Sequence, residues 1–410
     1  MTQNQEKSKF KFYILIFSFI MTGSANTILN KYMLSTESKE TKFDIHPWFI
    51  TFGMFIGESF SLILYYFSIK NKKNKNKTIE NLTELKEDNN LINSKNSLNT
   101  ENSAEKKIPK CYIFMIPALC DFFGSTIATF GLVYLSSSIY QMMRGILIIF
   151  VMILSIIILK SKMLIHNYLG ALILIIGLIL TGISPMVEGN DKENSEFKGI
   201  ILIIISQIFS AFQYVVEEKI VRSYIVDSFQ MVGFEGMWGS ILYIVILIIF
   251  QNIKCKNQDL IENICAYRKD KKDKNVVYLE DTIFAFEQML EKKILILLFL
   301  LYITSIGIFN IAGINLMEYS SSAARAVMDN LRTILIWFFF LLIPQPNNYE
   351  DLKESFKYLQ LFGFILIIIG NMIYNQFLDI KYLGLSKCSK TNEDNKIEKK
   401  REIKNELYNI

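Results

Sequence analysis

The sequence predicts an all-α integral membrane protein in which ten transmembrane helices form a 5+5 inverted repeat. Three observations favour this fold class. Hydrophobic residues make up 51% of the 410 positions, and they form repeated apolar runs of about 20 residues, each long enough to cross a bilayer. Lysines gather between these runs, as they do in cytosolic loops under the positive-inside rule. Serine and glycine patterns in the first half of the chain recur in the second half.

The apolar runs define ten predicted spans in two groups of five. Lys7, Lys9 and Lys11 precede or open the first run, as in a signal peptide. That run is longer than a signal-peptide core and lacks a small-residue cleavage site, so we predict a retained helix. The first five spans are predicted at 10–29, 47–69, 111–134, 138–159 and 166–184, and the second five at 198–216, 231–250, 294–317, 319–343 and 358–378.

Polar segments between the spans set the predicted domain boundaries. The linker is rich in Lys, Asn, Glu and Ser, so it is expected to be disordered. Lysine bias places both termini on the cytosolic side. The predicted parts are a cytosolic N-terminal segment (1–9), a first five-helix repeat (10–184) with the linker 70–109, an acidic loop (185–197), a second five-helix repeat (198–378) with a long charged loop (251–293), and a charged cytosolic tail (379–410).

The repeat is predicted from two matched features in corresponding spans. Spans five and ten each carry two glycines seven residues apart, and spans four and nine each begin near a serine triplet. Five spans per repeat would insert the second half upside down, a plan that recurs in transporters with a midplane site. Chance matches in a biased membrane sequence are the alternative. The matched positions are Gly170 and Gly177 with Gly363 and Gly370, and Ser136–Ser138 with Ser320–Ser322.

Span nine is apolar enough to cross a membrane, yet it carries three charged residues. Arg325, Asp329 and Arg332 follow one another at i, i+4 and i+7, so they share one helix face. Charges at membrane depth are costly and normally face a protein interior or a water-filled cavity. Arg325 and Asp329 could simply neutralise each other. Arg332 lacks such a local partner in the sequence, which makes it a candidate for contact with an anion or for a pair across the repeats.

Span four presents a similar polar face, on which Tyr140, Gln141 and Arg144 lie together. An arginine there could bind a carboxylate, phosphate or carbonyl group through its planar pair of donors. Alternatively, Arg144 could be held by a nearby acid such as Asp121. The residues predicted to line a substrate or translocation cavity are Tyr140, Gln141, Arg144, Asn310, Arg325, Asp329 and Arg332.

Three further acids lie in or near predicted spans. Glu58 follows the small-residue pattern Gly53-xxx-Gly57, which lets helices approach closely. Glu235 also lies among glycines, and Asp121 lies in span three. Each acid could be structural, or it could take up a proton in coupled transport, because burial disfavours the charged form of a carboxyl group. Glu217 and Glu218 are predicted to lie at a solvated helix end.

The sequence offers little for metal or catalytic chemistry. It has 5 Cys and 2 His and no CxxC pattern, so no metal site and no cofactor are predicted. Cys255 and Cys265 share one predicted loop and could form a disulfide in an oxidising lumen or remain free thiols. Nucleotide-binding and hydrolase motifs are absent from the sequence, so an enzyme is not predicted. The net charge of +5 fits membrane orientation better than nucleic-acid binding.

Eight motifs in or beside the predicted spans resemble one transporter family. The resemblance is to the drug/metabolite transporter superfamily (EamA-like), and within it to the nucleotide-sugar-transporter-like solute carriers of family 35, in the branch of the F subgroup that contains its sixth member. The motifs are TGSANTILNKY (22–32), HPWFITFGMFIGE (46–58), PALCDFFGST (117–126), SSIYQMMRGILIIF (137–150), YVVEEKIV (214–221), VGFEGMWG (232–239), FNIAGI (309–314) and SSAARAVMDNLRTILIW (321–337).

The resemblance implies a ten-helix inverted-repeat transporter with cytosolic termini. Together with the polar faces it predicts a secondary transporter of a small polar metabolite, anionic or zwitterionic, that works by alternating access. A non-transporting scaffold or regulatory protein with the same fold is the alternative. The expected location is an intracellular endomembrane, lysosomal, vacuolar or Golgi-like, ahead of mitochondria or the plasma membrane. The expected partners are a small-molecule substrate and the lipid bilayer, a homodimer is left open, and no nucleic-acid partner is expected.

Overall fold

The structure, a computed structural model, describes residues 3–35, 47–70, 109–135, 137–186, 193–254, 278–342 and 358–375. Within these residues the fold is helical, and β structure is limited to a single bridge between Lys254 and Tyr278. The helices are α1 (Gln3–Ser35), α2 (Pro47–Ser59), α3 (61–70), α4 (Met115–Tyr134), α5 (Ser137–Arg144), α6 (Leu147–Ile158), α7 (Ile165–Met186), α8 (Glu193–Ser223), α9 (Ser228–Phe250), α10 (Thr282–Glu291), α11 (Lys293–Tyr319), α12 (Ser322–Asp329), α13 (Leu331–Leu342) and α14 (Tyr358–Tyr374).

The length and composition of these helices confirm an all-α membrane protein. Many large apolar side chains on the outer faces of the helices are exposed, as expected for surfaces that lie against lipid. Six helical segments in the described residues are long and apolar enough to cross a membrane, and shorter apolar helices lie at Leu147–Ile158, Ile165–Thr181 and Leu361–Tyr374. The six are Phe12–Leu34, Pro47–Lys70, Cys111–Tyr134, Phe197–Ser223, Ser228–Phe250 and Lys293–Tyr319.

Three segments predicted as continuous helices are interrupted: one at Phe60, between α2 and α3, and two next to charged residues. The first break of these two, between α5 and α6, falls at Gly145 and Ile146, and the second, between α12 and α13, falls at Asn330. Backbone hydrogen bonds at both breaks run to the third preceding residue, which tightens the chain locally. The Asn330 side chain also donates to the Ala326 carbonyl oxygen at 3.2 Å. As a result, Arg144 is the last residue of α5 and Asp329 the last residue of α12.

Two predicted loops are partly helical. The 251–293 segment contains α10, whose Ala285 and Met289 are buried while Phe286 packs edge-on against Phe49 with ring centroids 4.9 Å apart. Apolar residues recur at helical spacing within this charged segment, which explains the helix. The prediction of a loop considered only the charge of the segment. The predicted acidic loop ends earlier than expected, because α8 already begins at Glu193. Cys255 and Cys265 lie outside the described residues.

Glycines permit the closest helix contacts. The Gly170–Gly177 pair of α7 lies against the Gly370–Gly363 pair of α14: a methyl group on Gly170 would lie 2.8 Å from the Gly370 carbonyl oxygen, and one on Gly177 would lie 2.8 Å from that of Gly363. Residue numbers increase along α7 where those of the contacting residues decrease along α14, so the two helices are antiparallel. The most extensive helix pairs are α7 with α14, α4 with α8, α1 with α11 and α2 with α9.

The contact between α2 and α11 yields a prediction about stability. A methyl group on Gly57 would overlap the backbone carbonyl of Ile303, whereas one on Gly307, across the same interface, would lie 3.0 Å from the Gly57 carbonyl oxygen. We therefore expect Gly57→Ala to lower the free energy of unfolding by about 1–3 kcal/mol, because backbone atoms must separate. Gly307→Ala, the matched control, should cost less. Thermal unfolding in detergent measures both, and an equal loss in the two variants would contradict the prediction.

Candidate functional site

The two breaks bring oppositely charged side chains together. Arg144 at the end of α5 lies 3.6 Å from Asp329 at the end of α12, measured from Nη2 to Oδ2. Arg332, near the start of α13, lies 3.1 Å from the same carboxylate oxygen. One carboxylate therefore lies between two arginines, and Arg332 and Asp329 are buried. This arrangement corrects the expectation that Arg332 lacks a local partner, because Asp329 lies three residues before it, a spacing at which side chains of one helix meet.

A cavity of about 90 Å³ lies beside these arginines. A buried water needs roughly 10–15 Å³ of such volume, so the cavity has room for several waters or a small polar group. Polar side chains from α1, α4, α5, α8, α11 and α13 converge on it, which is typical of a binding site. The polar and aromatic residues that line it are Asn26, Thr27, Asn30, Asp121, Ser125, Thr129, Tyr140, Arg144, Gln207, Ser210, Gln213, Tyr214, Tyr302, Phe309, Asn310 and Arg332.

Arg325 does not line the cavity, because it is held in the protein interior by α8. Its Nη1 donates to Glu217 Oε2 at 2.5 Å, and both side chains are 1% exposed. The guanidinium also lies over the Tyr214 ring, 4.0 Å from the centroid, a favourable cation–π geometry. The predicted local pair between Arg325 and Asp329 is therefore wrong: Arg325 points to Glu217, and Asp329 pairs with Arg332 and Arg144.

The neighbouring acid, Glu218, binds the start of α12. Its Oε2 accepts hydrogen bonds from the Ser322 backbone N–H at 2.8 Å and from the Ser322 hydroxyl. Arg222, one turn along α8, pairs with its other oxygen at 2.5 Å. An acid at a helix N-terminus satisfies free N–H groups and complements the helix dipole. The prediction of a solvated helix end at Glu217 and Glu218 is wrong, since both are buried.

The three further acids occupy different surroundings. Glu58 accepts a hydrogen bond from Asn310 Nδ2 at 2.6 Å, which links α2 to α11. Asp121 lines the cavity and accepts from the Ser125 hydroxyl at 2.6 Å. Glu235 is buried where α9 lies against α2, because Gly236 allows the backbone of α9 to approach Ser59. Only Asp121 among the three faces the cavity directly.

The structure thus brings some predicted site residues together and separates others. Tyr140, Arg144, Asn310 and Arg332 line the cavity. Asp329 lies against the two arginines, whereas Gln141 and Arg325 are buried elsewhere. Sequence reasoning missed Tyr214, Glu217 and Glu218 as interacting residues. The available signal was the pair of adjacent acids, Glu217 and Glu218, which lies close to Tyr214 in a mainly apolar helix. Asn26, Gln207 and Gln213 also line the cavity, where their amide groups can form hydrogen bonds.

In the part of the chain that the structure describes, the polar groups offer no arrangement suited to a metal ion. Among the described residues, no group of three or more His, Cys, Asp or Glu side chains is positioned to hold one. What the cavity does offer is two guanidinium groups, one carboxylate wall residue and several amides and hydroxyls. This combination suits recognition of a small polar molecule through charge-assisted hydrogen bonds.

Helices long enough to cross a membrane around a charged internal cavity define a polytopic membrane protein of the transporter type. The signature of the family described as CRT-like, chloroquine-resistance transporter-like, matches residues 91–374. Solute carrier family 35 member F6 from Rattus norvegicus and from Homo sapiens are each 30% identical to the chain over 366 residues, which cover 87% of this chain and 86% of theirs. The chain belongs to the CRT-like family and, among solute carriers, to the F subgroup of family 35.

A more distant relative comes from fission yeast. Uncharacterized protein C12G12.12 of Schizosaccharomyces pombe is 26% identical over 360 residues, which cover 88% of this chain and 96% of that protein. The similarity to all three relatives therefore extends over most of the chain. It confirms the resemblance inferred from the motifs.

Proposed function

We propose that the protein is a secondary transporter of a small polar metabolite, anionic or zwitterionic, that works by alternating access. The observation that carries the proposal is the cluster of Arg144, Asp329 and Arg332, in which charges from two broken helices meet beside an internal cavity. Broken helices that place charge at membrane depth are a recurrent feature of transporter substrate sites. Asp121 on the same cavity wall would suit the cationic group of a zwitterion.

The proposal includes ten spans in a 5+5 inverted repeat. The four spans beyond the six long helices would be α5 with α6, α7, α12 with α13, and α14. The spans are numbered one to ten in chain order, and an inverted repeat exchanges each span n with span n+5. This exchange converts the contact of spans one and eight into the contact of spans six and three. It maps the two-seven and five-ten contacts onto themselves. The principal contacts follow this exchange, and the antiparallel α7 and α14 meet at matched glycines, as a two-fold axis in the membrane plane requires.

The domain boundaries and orientation complete this proposal. The two repeats would be residues 10–184 and 198–378, and substrate would pass between them as they rock about the cavity. Both termini would be cytosolic, because lysines are enriched on that side. The membrane would be an endomembrane of lysosomal, vacuolar or Golgi-like type, and the partners would be the substrate and the bilayer.

Uptake by the purified full-length protein tests the proposal. Proteoliposomes would be incubated with a pool of small anionic, zwitterionic, cationic and neutral metabolites, and their contents compared with those of empty liposomes by mass spectrometry. We expect enrichment of one or more anionic or zwitterionic compounds. Enrichment of cationic or neutral compounds alone would contradict the proposed substrate class, and no enrichment with either side of the membrane loaded would contradict transport.

Removal of the tail separates a transporter from a scaffold. If the function resides in the membrane helices, a variant that ends at residue 378 should retain uptake within about twofold of the full chain, because the described cavity is lined by residues of the helices. A scaffold that acts through its tail would instead lose its biological effect on truncation. The comparison requires uptake and complementation of a deletion strain to be measured on the same variant, with expression matched by quantitative blot.

A further inference from the structure

The cluster of Arg144, Asp329 and Arg332 carries one positive charge more than it neutralises. Two guanidinium groups contact a single carboxylate, at 3.6 and 3.1 Å. Arg332 is 2% and Asp329 is 5% exposed, and the Arg144 side chain is 23% exposed, so water offsets the excess charge only in part. A buried charge is costly unless it is paired and hydrogen-bonded. The cluster is therefore complete only when a further negative charge lies beside it.

Hydrogen bonding within the cluster is also incomplete. Arg332 Nη2, Arg144 Nε and Asp329 Oδ1 are buried, and none of them has a hydrogen-bond partner. Arg332 thus contacts Asp329 without the alignment of a hydrogen bond, although a bidentate pair is the favoured geometry for these groups. Buried polar atoms that lack partners are rare in native structures and call for an explanation. Here both arginines also line the cavity, so a ligand can reach them.

We propose that Asp329 is an internal substitute for the carboxylate of the substrate. In the empty site its side chain holds the two arginines, and a free carboxylate that enters the cavity takes over these contacts and displaces it. This inference rests on the proposed function and specifies its substrate as a compound with a carboxylate group. In the bound state, the arginines of α5 and α13 would contact the ligand and no longer Asp329. Occupancy of the cavity would therefore change the relative position of the two broken helices.

The charge balance favours a carboxylate over a phosphate. With Asp329 displaced but still nearby, the two arginines and one internal acid leave a net charge of +1, which a monoanion neutralises. A phosphate group carries about −1.5 to −2 charges at neutral pH, so it would leave the cluster with excess negative charge. A planar carboxylate also matches the planar guanidinium fork in two parallel hydrogen bonds.

Rescue by formate tests the inference on the full-length protein. In Asp329→Ala, the smallest carboxylate should fill the vacated position between the arginines and restore stability. We expect sodium formate to raise the midpoint of thermal unfolding of this variant in a saturable manner. The apparent affinity for formate should be at least about tenfold weaker in the unmodified protein, because its own carboxylate occupies the site. Sodium chloride and sodium phosphate at equal ionic strength serve as controls.

A second variant keeps the inference testable if Asp329→Ala does not fold. Asp329→Asn preserves the side-chain shape and removes the charge, so it should show the same selective response to formate. Asp121→Ala removes a different carboxylate of the cavity lining and keeps Asp329, so it should respond to formate no more than the unmodified protein does. Equal stabilisation by formate, chloride and phosphate, or equal formate affinity in the variant and the unmodified protein, would overturn the inference. The formate experiment measures binding and not transport. If formate stabilises the variant but the proteoliposomes take up no metabolite, transport is refuted while the carboxylate site is still supported.

Discussion

Glu217→Gln is expected to lower the free energy of unfolding by about 3–5 kcal/mol, the range found when one partner of a buried ion pair is removed. Glu217 and Arg325 are each 1% exposed and lie 2.5 Å apart. Loss of the acid leaves a guanidinium buried over the Tyr214 ring without its counter-charge. Arg325 also lies against Gly313, where a methyl group would be 2.6 Å from its Nε, so the arginine has little room to move toward another acid.

A double-mutant cycle measures how much of this loss belongs to the pair. Glu217→Gln, Arg325→Gln and the double variant would be unfolded by a denaturing detergent, with Glu287→Gln, at an exposed position in α10, as the matched control. We expect the double variant to be less destabilised than the sum of the single ones by about 1–3 kcal/mol, because neither charge is left alone. Additive losses would show that the pair contributes through packing and not through charge, and a loss in Glu287→Gln would show a nonspecific effect.

The helices themselves were readable from the sequence. Apolar runs of sufficient length predicted the positions of the six long helices, and seven-residue glycine spacing marked two helices that pack against each other, α7 and α14. These signals are local: hydrophobicity and small side chains act wherever the helix lies. The i, i+4, i+7 pattern likewise predicted that Arg325, Asp329 and Arg332 are buried within protein.

The partners of those charges could not be read in the same way. Helical periodicity places a residue on a face, but the acid that meets it depends on how distant helices cross. Glu217 lies 108 residues from Arg325, and it resembled a surface residue because Lys219 and Arg222 follow it. The break at Asn330 carries no glycine or proline signal. Helical spacing allows Asp329 to meet either Arg325 or Arg332, and the sequence alone does not show that Arg325 instead pairs with Glu217.

Substitution of the two cavity arginines is expected to have the largest effect on transport. Arg144→Gln and Arg332→Gln should each lower kcat/KM for uptake of the metabolite identified by the proteoliposome screen by about 10- to 100-fold. A hydrogen bond to a charged group contributes roughly 1.5–3 kcal/mol, and each 1.4 kcal/mol is a factor of about ten. Arg332 should be the more sensitive, because it is 2% exposed and its guanidinium lies 5.2 Å from the Phe309 ring centroid, which fixes it in place.

Lysine variants separate the role of charge from that of shape. Arg332→Lys keeps the positive charge but loses the planar fork, so its uptake should fall between that of the unmodified protein and Arg332→Gln. Lys254→Gln removes an exposed positive charge outside the cavity and should leave uptake unchanged. Rates would be normalised to the amount of folded protein, so that lost stability is not counted as lost transport. If Arg144→Gln and Arg332→Gln both retain full uptake, the cavity between the broken helices is not the substrate site, because a buried arginine that binds the substrate cannot be neutralised without loss of affinity or rate.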